Sequence, residues 1–273
     1  MREIVYSAAP ELRRPAAFLA AAASDLRAAF PIGWRLFRSN LRVNYRRSWL
    51  GYLWLLLPAL GTAALAAFIQ ARRIVSVGGT ELPYPLFVLC GIVLWQLFAE
   101  ALNAPLQQLR AGRQLITRSR VPHEALVLAG LWEVLLNALI RLLLLGGALA
   151  YFGMPPTPTM LLIPAGVAVL ALLGLASGLL IAPVGLLYDD VGRSLTLLLG
   201  FGLFLTPVIY PIPAGSPLRF NPVAPAIDTA RHWITGGSAA PGFWAVGAGA
   251  AVLLVTAWLF YRLARPHFVA RLG

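Results

Sequence analysis

The residues best suited to chemistry lie early in the chain, where Arg35, Arg38, Arg42 and Arg46 recur at helical spacing. Trp34, Phe37, Leu41 and Tyr45 recur one step round, so an apolar stripe runs beside an arginine stripe. A helix of this pattern suits the membrane interface, with its rings in the acyl boundary and its guanidinium groups among phosphates. The planar guanidinium fork can bind two phosphate oxygens at once. Two partners fit: bulk lipid headgroups, or a phosphate on a transported molecule. Pro31 suits the first turn of such a helix, where a missing N–H costs little, and the pattern runs to Trp49.

A second constellation is Glu133, Asn137 and Arg141, which stand at i, i+4 and i+8 within otherwise apolar sequence. On a helix they form one polar stripe rising about 12 Å at 1.5 Å per residue. Ionisable groups at membrane depth face protein or water rather than lipid. The stripe therefore either holds helices together or touches a translocation path. Arg141 is no proton relay, because guanidinium stays charged.

Enzymatic chemistry finds no comparable footing. His123, His232 and His267 are scattered, and no H-E-x-x-H pair, nucleophile motif or metal-ligand spacing occurs. All 22 basic residues are arginine, so a G-x-x-x-x-G-K-[ST] phosphate loop is excluded. Cys90 is the single cysteine, which permits no internal disulfide. The chain is read as a non-enzyme without a cofactor or metal of its own.

The elements that must position these residues are membrane spans. Of the 273 residues 59% are hydrophobic and 12% charged, and a soluble domain carries about twice that charge fraction. Mean hydropathy is +0.77, and the apolar residues fall in long blocks. About 20 apolar residues cross the hydrocarbon core, and six blocks qualify: 50–70, 84–102, 126–152, 160–188, 194–210 and 242–264. The fourth is interrupted by Pro164 and Pro183, and the fifth ends in Thr206-Pro207. The expected fold is an all-α integral membrane protein of six spans. Residues 1–49 form a cytoplasmic segment with the interface helix, 50–264 the spanning domain and 265–273 a cytoplasmic tail.

Arginine placement sets the orientation, because basic residues are retained in cytoplasmic segments. With both termini inside, 17 arginines fall inside and four outside (Arg72, Arg73, Arg219, Arg231). The net charge of +12 is explained by basic loops beside anionic lipid, without nucleic acid. Arg13-Arg14 and the alanine run after it imitate an export signal, but the run stops at Asp25 and is read as retained.

Several strings then carry a resemblance: Arg46-Arg47-Ser48-Trp49-Leu50-Gly51-Tyr52-Leu53-Trp54, Tyr84-Pro85-Leu86-Phe87, Trp95-Gln96-Leu97-Phe98 and Tyr188-Asp189-Asp190-Val191-Gly192-Arg193. They continue in Thr206-Pro207-Val208-Ile209-Tyr210-Pro211, Arg219-Phe220-Asn221-Pro222 and Ile227-Asp228-Thr229-Ala230-Arg231. In order and spacing they resemble permeases of type-2 ABC transporters that export polysaccharide such as O-antigen, capsule or teichoic acid. The resemblance implies a half-transporter in the bacterial inner membrane: two copies form the pore, and two ATP-binding cassette subunits bind ATP and Mg and drive it. It implies a lipid-linked polysaccharide as cargo, and an entrance at Arg42, Arg46, Arg47, Leu50 and Gly51 for the pyrophosphate end. The segment 103–123 matches a coupling helix for the ATPase, with Arg110, Arg113, Arg118 and Arg120 as contacts or as ordinary membrane anchors. The stretch 211–241 implies re-entrant helices that gate the exit, with Pro207, Tyr210, Asn221, Pro222 and Arg231, or else a folded external cap.

Sugars bind weakly on aromatic faces, so Tyr52, Trp54, Trp95 and Phe98 are candidate channel rings; such rings also serve interface belts and helix packing. Two other functions compete: a type-2 ABC permease for lipid or drug efflux, and an intramembrane enzyme. The interface helix running into Leu50-Gly51 and the aromatic content weigh against the first. The missing catalytic motifs weigh against the second.

Overall fold

In the computed structural model the described residues are 15–46, 53–72, 82–118, 121–211 and 215–272. Within the helices, the side chains of 15, 44–46, 116–118, 219 and 267–272 also lie outside the description. Among the described residues there are nine α-helices and no strand: α1 (Pro15–Arg46), α2 (Leu53–Ala71), α3 (Tyr84–Ala111), α4 (Arg113–Arg118), α5 (His123–Tyr151), α6 (Ile163–Leu187), α7 (Asp189–Gly202), α8 (Ala224–Thr235) and α9 (Phe243–Leu272). Short 3-10 turns at Pro158–Leu162 and Pro217–Phe220 precede α6 and α8. Helix is what this composition demands, since only a helix satisfies its own backbone polar groups in lipid.

Among the described residues five helices are long and apolar enough to cross a membrane: α2, α3, α5, α9, and α6 with the turn before it. The fifth apolar block behaves differently. Its helix α7 has 14 residues, about 21 Å against the roughly 30 Å of a hydrocarbon core. Turns carry the chain from Leu203 to Tyr210. Thr206-Pro207 supplies a reason, because proline has no N–H to donate and disfavours helical backbone in the residue before it.

The centre of the bundle is α3, whose most apolar stretch is 83% buried within the chain, against 11% for α2. Against it lies α6, at a distance set by glycine. A Cβ at Gly178 would stand 2.2 Å from the Leu102 carbonyl oxygen, and one at Gly174 would stand 2.7 Å from that of Phe98. Gly174 and Gly178 are four apart, the small-x-x-x-small spacing that lets membrane helices touch backbones. On its other sides α3 meets α5 and α2, while α9 packs on α6 and α1 on α5.

The first helix corrects the expected boundary. It begins at Pro15, so Pro31 lies in its interior and not in its first turn. The alanines from Ala16 onward explain the extension, because alanine has the highest helix propensity and one lost hydrogen bond does not stop a helix held by packing. That packing is on protein as well as toward the interface. Ala22, Ala29 and Phe37 are buried, and Gly33 is so near α5 that a Cβ there would stand 2.9 Å from both Ala125 O and Leu128 Cβ. Phe30 and Trp34 meet the ring of Trp132 edge-on, with centroids 5.7 and 5.1 Å apart. Arg262 of α9 fastens the same helix, pairing with Asp25 at 2.8 Å and with Glu124 of α5.

Candidate functional site

The polar stripe of α5 is spent on α3. Arg141 is buried and pairs with Glu100, whose other oxygen accepts from Asn137 Nδ2 at 3.2 Å. Two turns below, Glu133 Oε2 accepts from Gln108 Nε2 at 3.0 Å, and Gln108 Oε1 accepts from Asn40 of α1 at 3.4 Å. A chain of charged and amide groups thus joins three helices. In a low-dielectric setting each member needs its partner, since an unpaired polar group at that depth is costly.

The network lines one side of a cleft of about 620 Å³ between α1, α3 and α5. Its wall contains eight amide or carboxylate side chains, including Gln96, Glu100, Asn103 and Gln107 of α3, and otherwise only small apolar residues such as Ala99, Gly130 and Val134. Ligand pockets of ~300–1,000 Å³ are usually lined mainly by apolar and aromatic groups. Here the proportion is reversed, and no aromatic residue lines the cleft among the described residues.

The sequence-derived candidates fall into distinct places. Arg42 lies one turn from the end of α1 with its side chain exposed, between Asn40 and Val43 in sequence, both of which line the cleft. The side chain of Arg46, and Arg47, Leu50, Gly51 and Tyr52 entirely, lie outside the described residues, as does Arg120. Trp54 points outward from α2, 61% exposed. Trp95 and Phe98 are buried, their ring centroids 5.5 Å apart. They belong to the core, where a Cβ on Gly202 of α7 would meet the Trp95 ring at 2.9 Å, and they are not on the cleft wall.

The coupling segment is also redrawn. α3 continues to Ala111, so Arg110 sits on its last turn, and the short helix between the spans is α4, which carries Arg113 and Arg118. Arg110 turns onto the end of α6. It donates to the Gly185 carbonyl at 2.6 Å and the Tyr188 carbonyl at 3.2 Å, and it stands 3.5 Å from Asp189. Free carbonyls at a helix C-terminus attract a cation, which gives Arg110 a capping task within its own chain.

Four of the five expected gate residues meet in one knot. Arg231 is buried, donates to the carbonyls of Pro207 at 2.7 Å, Val208 at 2.8 Å and Phe87 at 3.1 Å, and pairs with Asp228 at 3.2 Å. Its guanidinium carbon lies 3.5 Å from the centroid of the Phe87 ring. Gly91 makes room, since a Cβ there would stand 2.5 Å from both the guanidinium and the Val208 carbonyl. Asn221 Nδ2 donates to Thr206 Oγ1 at 2.8 Å and to the Leu205 carbonyl at 3.1 Å, and the Tyr210 hydroxyl donates to the Phe204 carbonyl. Pro222, exposed, leads into α8. Burial pushes the Asp228 carboxyl above the usual range while the Arg231 charge pulls it back.

Glu100, Gln96, Asn103, Gln107, Gln108 and Asn40 were not singled out from sequence. The signal was present, because Gln96, Glu100, Asn103 and Gln107 stand at i, i+4, i+7 and i+11, one face of a helix.

Among the described residues the chain is a helical, multi-pass membrane protein with a polar cleft between α1, α3 and α5. The chain is similar to the O-antigen export system permease protein RfbA of Myxococcus xanthus, 27% identical over 179 residues that make up 65% of this chain and 67% of that one. It is also similar to two RfbA permeases of Klebsiella pneumoniae, each 24% identical, over 208 and 209 residues, covering 72% and 73% of this chain and 78% of each relative. No protein-family model matches the chain. The resemblance to type-2 ABC permeases of polysaccharide export, read from the motifs, is thereby shown.

Proposed function

We propose that this chain is the transmembrane subunit of an ATP-driven exporter that moves a lipid-linked polysaccharide across the bacterial inner membrane. Two copies form the pore, and a separate pair of ATPase subunits binds ATP and Mg and drives it. The observation that carries the reading is the cleft: eight amide or carboxylate side chains between helices suit a hydroxyl-rich cargo and offer nothing to an acyl chain or an apolar drug. The similarity to export permeases for O-antigen supports the same cargo class.

In this reading α7 and the turns after it form a sixth, broken crossing, and both termini are cytoplasmic. The arginine face of α1 lies at the interface and receives the phosphate end of the cargo through Arg42, Arg46 and Arg47 beside Leu50 and Gly51. Helix α4 docks on the ATPase through Arg113 and Arg118, while the Arg231 knot and α8 form the exit gate.

The test is a deletion with complementation, alongside purification with and without a nucleotide-binding partner. Cells lacking the chain should accumulate lipid-linked glycan on the cytoplasmic side. The chain alone should hydrolyse no ATP, and the complex should do so with glycan stimulation. Normal glycan export in the deletion strain would overturn the proposal.

A further inference from the structure

We infer that the α1/α3/α5 cleft is a saccharide subsite that holds an uncharged, hydroxyl-rich sugar unit by hydrogen bonds alone, next to the phosphate-binding face of α1. The inference rests on the exporter reading above and adds a location and a recognition chemistry to it.

Two populations of polar side chain line the cleft. Glu100, Asn137, Glu133 and Gln108 are tied across helices, as Arg141–Glu100–Asn137 and as Glu133–Gln108–Asn40. These bonds account for their presence in a helical core. Gln96, Asn103 and Gln107 have no such reason. Asn103 donates only to the Ala99 carbonyl of its own helix, at 3.0 Å, Gln107 is exposed to the cleft without a hydrogen bond among the described residues, and Gln96 Oε1 is buried at the wall without a partner. They form a ladder along the face of α3 that also carries Glu100, and Glu133 of α5 lines the same cleft.

The chemistry of that ladder selects its ligand. A carboxamide both donates and accepts, as does a sugar hydroxyl, while the carboxylates accept from hydroxyl donors and disfavour an anion. The carboxylates are held in place before any ligand arrives, which lowers the ordering cost of binding. Among the described residues no ring lines the cleft, so their recognition reads hydroxyl pattern and not merely the apolar face of a sugar. The volume of about 620 Å³ falls within the usual range of ligand sites, ~300–1,000 Å³. Arg42, its side chain exposed, stands in sequence between Asn40 and Val43, which line the cleft, so a lipid pyrophosphate held by it would leave its first sugars near the cleft.

The test uses the full complex of permease and ATPase in nanodiscs, with two probes: a lipid pyrophosphate bearing a neutral tetrasaccharide, and the same lipid pyrophosphate without sugar. Asn103→Leu with Gln107→Leu removes two of the three ladder amides while leaving both interhelical ties intact. One net hydrogen bond is worth about two- to tenfold in affinity, so losing two should raise the half-stimulating concentration of the glycolipid by about four- to a hundredfold. Assembly, basal ATPase activity and the response to the sugar-free lipid should stay as in the parent, and Asn103→Ser with Gln107→Asn should restore most of the glycolipid response. Should the double variant not assemble, Gln107→Leu alone carries the measurement, with a shift of about two- to tenfold. An unchanged half-stimulating concentration, or an equal shift with the sugar-free lipid, would refute the subsite and leave the exporter reading standing. A parent complex that neither probe stimulates, in cells that export glycan without the chain, would remove the exporter reading itself.

Discussion

Replacing Arg231 by Met keeps a long side chain of similar reach and removes the charge and every donor. In the native chain that guanidinium serves three backbone carbonyls, of Pro207, Val208 and Phe87, at 2.7, 2.8 and 3.1 Å. Each is a charge-assisted hydrogen bond worth about 1.5–3 kcal/mol. The sum overstates the loss, because burying the guanidinium itself costs several kcal/mol, and its Nε has no partner. A net destabilisation of about 3–5 kcal/mol is expected, the usual result of breaking a buried charged cluster from one side. Asp228→Asn is the control. Asp228 is 33% exposed, burial already favours its neutral form, and Arg231 keeps all three carbonyls, so the change should cost about 1 kcal/mol or less. Thermal unfolding of the purified chain in detergent reads both. A shift of roughly 2–4 °C per kcal/mol gives a fall of about 6–20 °C for Arg231→Met and under about 4 °C for Asp228→Asn. Equal shifts for the two variants, or a fall of less than about 3 °C for Arg231→Met, would show that the carbonyls find water or other donors and that Arg231 does not hold the turn.

Gly178→Val should prevent α3 and α6 from closing, because its Cβ would meet a backbone carbonyl at 2.2 Å that no rotamer can move; Gly61→Val, with nothing within 4 Å, is the control, and the yield of monodisperse protein separates them. Arg46→Gln with Arg47→Gln should weaken glycolipid binding by about ten- to a hundredfold while membrane insertion and basal ATPase activity persist; normal export and affinity at matched expression would return these arginines to a role among lipid headgroups.

Much of the fold is readable in the chain itself because bilayer thickness fixes one parameter, the length of an apolar run. The blocks at 50–70, 84–102, 126–152, 160–188 and 242–264 each become one long helix on that ground alone. Where a second interaction competes, length misleads. The block 194–210 has the composition of a span, yet Thr206-Pro207 breaks it, and the freed carbonyls are taken up by Arg231, more than twenty residues away. Pro31 looked like a start signal because proline favours first turns, but the alanines before it are the stronger influence. Arg110 and Arg113 look alike in sequence. Only the point at which α3 ends decides that Arg110 reaches the carbonyls of α6.

The site was half readable for a related reason. Glu133, Asn137 and Arg141 stood out because charge is conspicuous in apolar sequence, whereas their partner face on α3 shares a helix with Trp95, Phe98 and Leu102, and the rings drew attention to the opposite side. The structure sorts the two faces: the Trp95 ring is buried against α7, and the amides face the cleft. A network built only to bind helices together would need as many acceptors as donors and nothing more, since each surplus polar group at membrane depth costs stability. α3 carries surplus amides along one line, with Glu100 and Gln108 engaged and Gln96, Asn103 and Gln107 making no bond to another helix among the described residues. Such groups are tolerable if the cleft holds water, and water is also what a sugar replaces with least loss, hydroxyl for hydroxyl. The same reasoning separates a carbohydrate path from a lipid one, because an acyl chain entering this cleft would strip the amides of their water and return no hydrogen bond.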